Sequence, residues 1–546
     1  MVLLKKQIIT VLLIVFVSNL YSQDLLKSVT NTGAGVTANN SQNWSDLVTT
    51  NIDVTGISNI LVTASINMRP DGVSTSGREG NYRIYSTSLP DDSGIIKRQI
   101  KSLNELGVES WGIGTLVHIF DVSSLSGTIP LILEHSNQGA SENGRNVYSS
   151  ARLTVVALTT ALNSYELSSD VKRINEGLEE VSATTTTFTE VNGTATSAIT
   201  LPFKGSIYVM GSINGRSNAA GTTGEYQLEY STNGSSWSLL GLPVKRTMIN
   251  TWDDGIISLT GLLEDQNPGS NYQFRLVHRR ISGTAPLITR NVNIVAIGLS
   301  HAGGAHFPAF KVEDVTGSTV SGVSTPDALI NSTSFTTAAD FIVASVLEEP
   351  DVFVSSQFLV SASGLDQTST SPVERMRGKN QLFLDNGTTQ IFESPYFRYI
   401  PDNSSFGSGG TIGLAENLNG SISYTFGMNH GVEFISSSGP KTAALSTSDV
   451  ILMGFQTFDV PVSTLSTNEE FLSEGLRFFS RNNKVVLKSD KLIDVNIKIY
   501  NISGQLIIEE KFKSRDEISV NVSYNGIIIG IVESKNRTFS KKMIIK

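Results

Sequence analysis

Tyr272, His278, Arg279 and Arg280 fall close together near the middle of the chain and are its best-suited set for catalysis. Polysaccharide lyases built on a β sandwich can run on Tyr, His, Arg or Lys alone, so Tyr272, His278 and Arg280 are the catalytic candidates. Other chemistry finds less support. Glycoside hydrolysis needs two carboxylates about 5–10 Å apart across the bond. Asp91-Asp92, Asp253-Asp254 and Glu348-Glu349 are instead sequence neighbours, which point to opposite faces of a strand. No His-x-His or His-Glu-x-x-His spacing supplies a zinc site. No Gly-x-Ser-x-Gly elbow, phosphate-binding glycine loop or dinucleotide fingerprint occurs. Asp253-Asp254-Gly255 and Asp385-Asn386-Gly387 could each help hold a structural calcium ion. Both lack the ligand spacing of a dedicated calcium loop, and turn formation is the simpler role. The expectation is therefore no cofactor and no metal site.

His278 belongs to a larger pattern. Gly80, Tyr82, Arg98, Trp111 and His135 recur in the same order as Gly224, Tyr226, Arg246, Trp252 and His278. They recur again as Gly378, Asn380, Arg398, Phe406 and His430, with asparagine in place of tyrosine. The arginines stand 148 and 152 residues apart and the histidines 143 and 152 apart. Periods of that length are whole domains, far longer than solenoid units of about 20–50 residues. An active site needs one copy, whereas repeated domains suit avidity, so the triplication favours binding over catalysis.

Each column has two readings. Strand alternation puts the histidines on one face with Leu133, Leu276 and Met428, which tucks each imidazole against a core edge. Arg98 shares its face with Ile96 and Ile100, Arg246 with Val244 and Met248, and Arg398 with Tyr396 and Ile400. A guanidinium on such a face is either paired inside its domain or exposed as a patch for carboxylated or sulfated sugars. Trp111 and Trp252 suit core plugs. Trp237, in the hairpin-like loop Asn233-Gly-Ser-Ser-Trp237, is the candidate exposed aromatic platform, and Trp44 lies outside the repeated columns.

The elements that position these residues read as strands throughout. Asn59–Arg69 and Ser206–Arg216 share Ser-Ile-Asn-x-Arg, and Asp351–Phe358 is a similar strand. Each copy closes on an apolar strand, at Ala151–Leu158, Val292–Leu299 and Ser448–Phe455. Short strands separated by Gly, Asn, Asp and Ser turns indicate sandwiches. About eight strands per copy favour a jelly-roll type. Helix candidates are confined to Ala161–Glu180 and Asn468–Leu476.

Composition sets the surroundings. A chain of 546 residues exceeds a single core, since cores stop growing near about 250–300 residues. The net charge of −9 argues against nucleic acid, which needs a basic face. With no cysteine, neither disulfides nor thiolate metal sites are available, so each domain is expected to be held by its own core and ladders. Lys5-Lys6 followed by the apolar run Ile8–Val17 reads as a secretory signal over residues 1–22, too short for a bilayer span of about 20 residues.

The C-terminal segment alternates as two strands joined at Asn501–Gly504, then turns at Asn525-Gly526 into Ile527–Val532 and ends Ser540-Lys541-Lys542-Met-Ile-Ile-Lys546. Ile499-Tyr500-Asn501-Ile502-Ser503-Gly504, Gly526-Ile-Ile-Ile and that terminal strand resemble the C-terminal sorting domain of the type IX secretion system of Bacteroidota. Phe478-Phe-Ser-Arg-Asn-Asn483 stands where that family usually carries a Tyr-Pro-Asn-Pro-like opening. The resemblance implies export across two membranes, then removal of this domain or attachment at the surface. It is silent on what the cargo does.

The expected organisation is all-β: a signal peptide over 1–22, β-sandwich repeats over 24–160, 161–300 and 301–458, a linker over 459–470 and a small sorting sandwich over 471–546. The expected role is a secreted or cell-surface binding or adhesion protein. Its partners would be an extracellular glycan or surface matrix and, through residues 471–546, the type IX machinery. The alternatives are a structural spacer and the lyase.

Overall fold

A computed structural model describes residues 27–545 except 34–36, 71–73, 103–111, 138–145, 159–171, 174–180, 192, 249–253, 301–308, 316–317, 324–328, 331–336, 343–349, 364–374, 392–395, 401–405, 420–421, 436–441, 460–469, 472–475, 482–483, 502–504, 525 and 535–536. The signal segment over 1–22, Trp111, Trp252, Asp253 and most of the linker over 459–470 lie outside the described residues. The fold is all-β, in antiparallel sandwiches. The chain divides into two compact units, Met1–Val460 and Pro461–Lys546.

All three copies lie in the first unit and share one topology. In the first copy, β1 (Lys27–Gly33) and β2 (Thr37–Asn39) pair with β9 (Val147–Leu158), followed by β4 (Asn59–Pro70) and β7 (Gly112–Asp121). Its second sheet runs β3 (Ser45–Asp53), β8 (Thr128–Asn137), β5 (Ser74–Tyr85), β6 (Ile96–Ser102). In the second copy β10 (Lys172–Arg173) and β11 (Val181–Ala183) pair with β19 (Leu287–Ser300), then β14 (Gly205–Ser217) and β17 (Gly255–Gln266). Facing it, β12 (Thr189–Glu190) and β13 (Ile199–Thr200) pair with β18 (Asn271–Ser282), then β15 (Thr223–Ser231) and β16 (Ser238–Thr247).

The third copy repeats this order. Here β20 (Ala309–Asp314) and β21 (Ser318–Val323) pair with β30 (Thr442–Asp459), then β24 (Pro350–Ser363) and β28 (Phe406–Ala415). Opposite lie β22 (Leu329–Ile330) and β23 (Thr337–Ile342) on β29 (Ser423–Ile435), then β25 (Arg375–Asp385) with β26 (Thr389–Ile391) and β27 (Tyr396–Ile400). Counting the paired short strands as one, each copy has sheet orders 1-8-3-6 and 2-7-4-5, a jelly roll.

Strand register explains the repeated landmarks. Gly80, Gly224 and Gly378 stand directly opposite Arg98, Arg246 and Arg398. Tyr82, Tyr226 and Asn380 stand opposite His135, His278 and His430. What recurs every ~150 residues is thus one patch of the second sheet of each jelly roll.

The three copies are not independent beads. In each first sheet one face lines that copy's own core, and the other meets its two counterparts in a shared apolar cluster. Leu61 lies opposite Ile119 and Val156, Tyr208 opposite Leu262 and Ile297, and Phe353 opposite Leu414 and Phe455. All nine belong to the shared cluster and are buried. Fully burying a side chain of this kind contributes about 1.5–3 kcal/mol, so the centre is a strong source of cohesion.

A ring of hydrogen bonds repeats the same rotation. The Ile412 amide of the third copy donates to Ser65 Oγ of the first (2.8 Å), and the Val117 amide of the first donates to Ser212 Oγ of the second (3.4 Å). The Thr260 amide of the second donates to Gln357 Oε1 of the third (2.9 Å), which closes the circle. Strands β7, β17 and β28 touch one another at the centre, while β6 lies on β17, β16 on β28 and β27 on β7. A head-to-tail interface whose rotation closes makes a ring. Here the ring is one covalent chain.

The seams also mix the cores. Ile256 of the second copy packs in the core of the first, and Ile113 of the first packs in the core of the third. Gly114 permits this approach, since a Cβ there would come within 2.6 Å of Ile256 Cβ. The expectation that each domain rests on its own core is corrected accordingly. Strand β1 adds a further tie: it pairs antiparallel with β9 and, through Lys27 and Ser28, parallel with Phe458 and Asp459 of β30.

The helix expectations are also corrected where they fall on described residues. Lys172 and Arg173 are strand, paired to Ile294 and Asn293, and Glu470–Phe471 pairs with Arg477 and Leu476. The second unit is a six-stranded sheet of β31 (Glu470–Phe471), β32 (Leu476–Arg481), β33 (Lys484–Asn501), β34 (Leu506–Asn521), β35 (Gly526–Ser534) and β36 (Arg537–Ile545). Val485, Ile497, Ile499 and Ile528 form part of its core. Asn501 Oδ1 accepts from the Gln505 amide (2.9 Å), closing the turn expected there.

Candidate functional site

The solvent face of the second sheets carries the described residues most suited to recognition. In the first copy Tyr82 and Ile84 point into the core, which turns Arg83 and Tyr85 outward. The Arg83 guanidinium lies between Trp44 and Tyr85, 4.5 and 5.2 Å from the ring centroids. Its Nε donates to Glu134 Oε2 (2.7 Å) and its Nη1 to Asp92 Oδ2 (3.3 Å).

The second copy builds the same device from different positions. Phe274 and Leu276 point inward, so Arg275 points out and lies 4.1 Å from the centroid of Trp237. It pairs with Glu229 (2.7 Å) and Glu190 (2.5 Å). Leu239, 56% exposed, shares the strand face of Trp237. Farther along β18, Arg279 lies 4.3 Å from the centroid of Phe188 and pairs with Glu225, which Lys245 also reaches at 3.7 Å. An arginine over an aromatic ring gains about 0.5–1 kcal/mol at an exposed site and presents a flat mixed surface.

The expected platform Trp237 is therefore half-buried, with Arg275 on one face of its ring. Trp44, Arg83 and Arg275 were not among the sequence candidates, and Arg279 was one only as a member of the catalytic cluster. Alternation with buried Tyr82, Ile84, Phe274 and Leu276 is the signal that points them outward.

The arginine columns behave differently. Arg98 is 5% exposed and Arg246 1%, so neither is open to a polysaccharide, which corrects their reading as ligand contacts. The Arg246 guanidinium lies where a Cβ on Gly255 would sit, so only glycine fits beneath it. Arg398 is placed by its backbone opposite Gly378; its side chain and that of His430 lie outside the described residues.

The lyase candidates do not converge. Tyr272 is buried and its hydroxyl donates to the Asn267 carbonyl (3.2 Å). His278 is fully buried, six residues along the same strand, with Nδ1 2.6 Å from Thr289 Oγ1. Burial lowers its pKa to about 4, and does the same for His135. Arg280 is half-buried and donates through Nη1 to the carbonyls of Thr284 (3.0 Å) and Ala285 (3.2 Å). A general base must reach its proton. Two of these three are sealed in the sandwich.

Charged groups also gather in the seam between the first and second copies. Asp254 and Arg290 form a buried two-pronged ion pair (3.2 and 2.5 Å). Burial raises the Asp254 pKa to about 6 against the pull of Arg290. Nearby, Lys97 pairs with Glu79 at 3.1 Å, and the Asn214 side chain bridges to the backbone of Lys97 across the seam. Asp254 is thus committed to Arg290, which removes it from the calcium reading. At Asp385-Asn386-Gly387, Asp385 Oδ1 accepts from the Gly387 amide (2.7 Å) and Gly387 has φ +100°, a turn.

No protein-family model and no curated protein matches the chain. Among solved structures it is similar to PNGase F, a glycosylasparaginase from Flavobacterium meningosepticum, at 12% identity and TM-score 0.29, over 51% of this chain and 96% of that one. The tandem CBM22-1–CBM22-2 domains of Paenibacillus barcinonensis Xyn10C align at 12% identity and TM-score 0.16, over 55% and 94%. A β-glucuronidase from Ruminococcus gnavus aligns at 9% identity and TM-score 0.14, over 38% and 35%. Likeness this low transfers no activity.

Proposed function

We propose that the chain is an exported binding protein whose first unit is a rigid three-jelly-roll head for extracellular glycans. The observation that carries this reading is the pair of tryptophan–arginine–carboxylate stacks on the outward sheet faces, Trp44–Arg83–Glu134 and Trp237–Arg275–Glu229. Aromatic faces beside fixed polar groups are what sugar recognition uses. The burial of Tyr272 and His278 weighs against the lyase alternative. The type IX resemblance of residues 471–546 supports passage to the cell surface or medium. A structural surface protein is the second reading, favoured by the fact that Arg83 and Arg275 already hold carboxylate partners.

The test is retention of the protein on a panel of insoluble and charged polysaccharides, with ultraviolet absorbance read for unsaturated products. Retention without absorbance, weakened in Trp237→Ala, is the expected result. An absorbance rise would make the protein a lyase, and silence in both would leave the structural reading. Deleting residues 461–546 should leave the head unexported if that segment is the address.

A further inference from the structure

We propose that the first jelly roll encloses a small inorganic anion of halide size, held between its two sheets by Arg98. Arginine cannot lose its proton in a protein. An isolated charge in the interior costs several kcal/mol, so buried charges are paired. Arg98 is 5% exposed, and its Nε and Nη1 have no hydrogen-bond partner.

No carboxylate is described as a partner of Arg98, and those of the same sheet and of the adjoining seam are engaged elsewhere. Glu79 pairs with Lys97, Glu134 with Arg83 and Asp254 with Arg290. The guanidinium therefore needs a negative partner that no described residue supplies. Across β5 the position in register with Arg98, through Gly80, is Asn137; His135 lies two residues along β8 on the same face, 0% exposed and with both ring nitrogens unpartnered. Donors dominate this set: three arginine N–H bonds, one on Nε and two on Nη1, and one imidazole N–H. That selects an anion over a cation, and an enclosed site selects a small one.

The equivalent position in the second copy differs in kind. There His278 Nδ1 meets Thr289 Oγ1, and the Arg246 guanidinium occupies the space over Gly255. The anion is assigned to the first copy alone.

The test is bromide anomalous scattering from crystals of the full-length protein, paired with thermal melts in sodium bromide, chloride and gluconate at one ionic strength. The expected result is an anomalous peak beside the Arg98 guanidinium and a melting temperature that rises with halide and saturates. Arg98→Met, which keeps length and removes charge, should lose both the peak and the halide dependence while remaining folded. Should Arg98→Met fail to fold, the wild-type peak and melts still decide the matter. Water at Arg98 with bromide only elsewhere would overturn the proposal. So would equal melting in all three salts combined with loss of stability on neutralising Glu105 or Glu109, the two glutamates that follow β6 in the sequence, which would put the counter-charge within the chain.

Discussion

The two sheets of each jelly roll share ancestry of position but live in different solvents. The first sheet is buried on both faces, one against its own core and one against its counterparts. The second has one face in the core and, away from the edge strands that meet a neighbouring copy, one in water, where Arg83 and Arg275 lie on tryptophan rings. Apolar residues at both parities of a strand, as in Ile60-Leu61-Val62 and Val155-Val156-Ala157, are the mark of the first condition. Strict alternation, as in Tyr82-Arg83-Ile84, marks the second. Burial on a second face turned three domains into one unit.

The largest expected effect comes from placing a charge at the shared centre. Leu61→Asp would set an unpaired carboxylate among Tyr208, Phe353 and their neighbours and should cost more than about 5 kcal/mol. Arg83→Ala, on the other sheet, should cost less than about 1 kcal/mol. Urea unfolding followed by tryptophan fluorescence measures both. Equal costs would mean the central cluster does not hold the copies together.

Core exchange across the seams comes next. Ile113→Ala and Ile256→Ala remove buried side chains from the neighbouring copy's core and should each cost about 2–5 kcal/mol. If the three copies act as one unit, each variant shifts a single cooperative transition. Separate transitions for the second and third copies after Ile256→Ala would show that the seams are weaker than the cores.

The central arrangement was only partly legible in the sequence. The columns of Gly, Tyr, Arg and His gave the copy number, and alternation gave the strands and the inward turn of His135 and His278. Closure into a ring was not legible, because Ser65, Ser212 and Gln357 take up one role with different side chains. A serine and a glutamine share no pattern, yet each accepts from the equivalent amide of a neighbouring copy. The continuous apolar strands did carry the signal for a second buried face, although it resembles that of any thick core. The outward stacks were missed because Arg83 and Arg275 look like any charged residue of a solvated sheet, and the distances that join them to Trp44 and Trp237 are tertiary.

Acid should separate the two sheets through their titrating groups. His135 and His278, on the second sheets, have pKa values lowered by burial from 6.5 to about 4. Each contributes its full stability above pH 6.5 and loses it as pH falls toward 4, about 3 kcal/mol apiece at 1.36 kcal/mol per unit. Asp254, which immediately precedes β17 of a first sheet, has the opposite sign. Raised from 3.8 to about 6, it contributes fully below 3.8 and loses that contribution as pH rises through 6. Two groups oppose one, so urea midpoints should fall between pH 7 and pH 4.5. His278→Asn should flatten the fall and Asp254→Asn should steepen it. A midpoint that rises toward acid would refute the assignment of the histidines as buried and neutral.

The smallest effect concerns the one place where the rotation is imperfect. Ile113 and Ile256 occupy equivalent positions opposite Asn67 and Asn214, and the third member of the set is Ser408, opposite Leu359. Where the other two insert a side chain into a neighbouring core, Ser408 offers a hydroxyl that is 1% exposed and has no hydrogen-bond partner. A buried orphan hydroxyl costs about 1–3 kcal/mol of desolvation. Ser408→Ala removes it without adding volume and should raise stability by about 1 kcal/mol, read as a higher urea midpoint at unchanged slope. A lower midpoint would mean that the hydroxyl does find a partner in the folded chain, and that the third seam closes by polar contact where the other two close by packing.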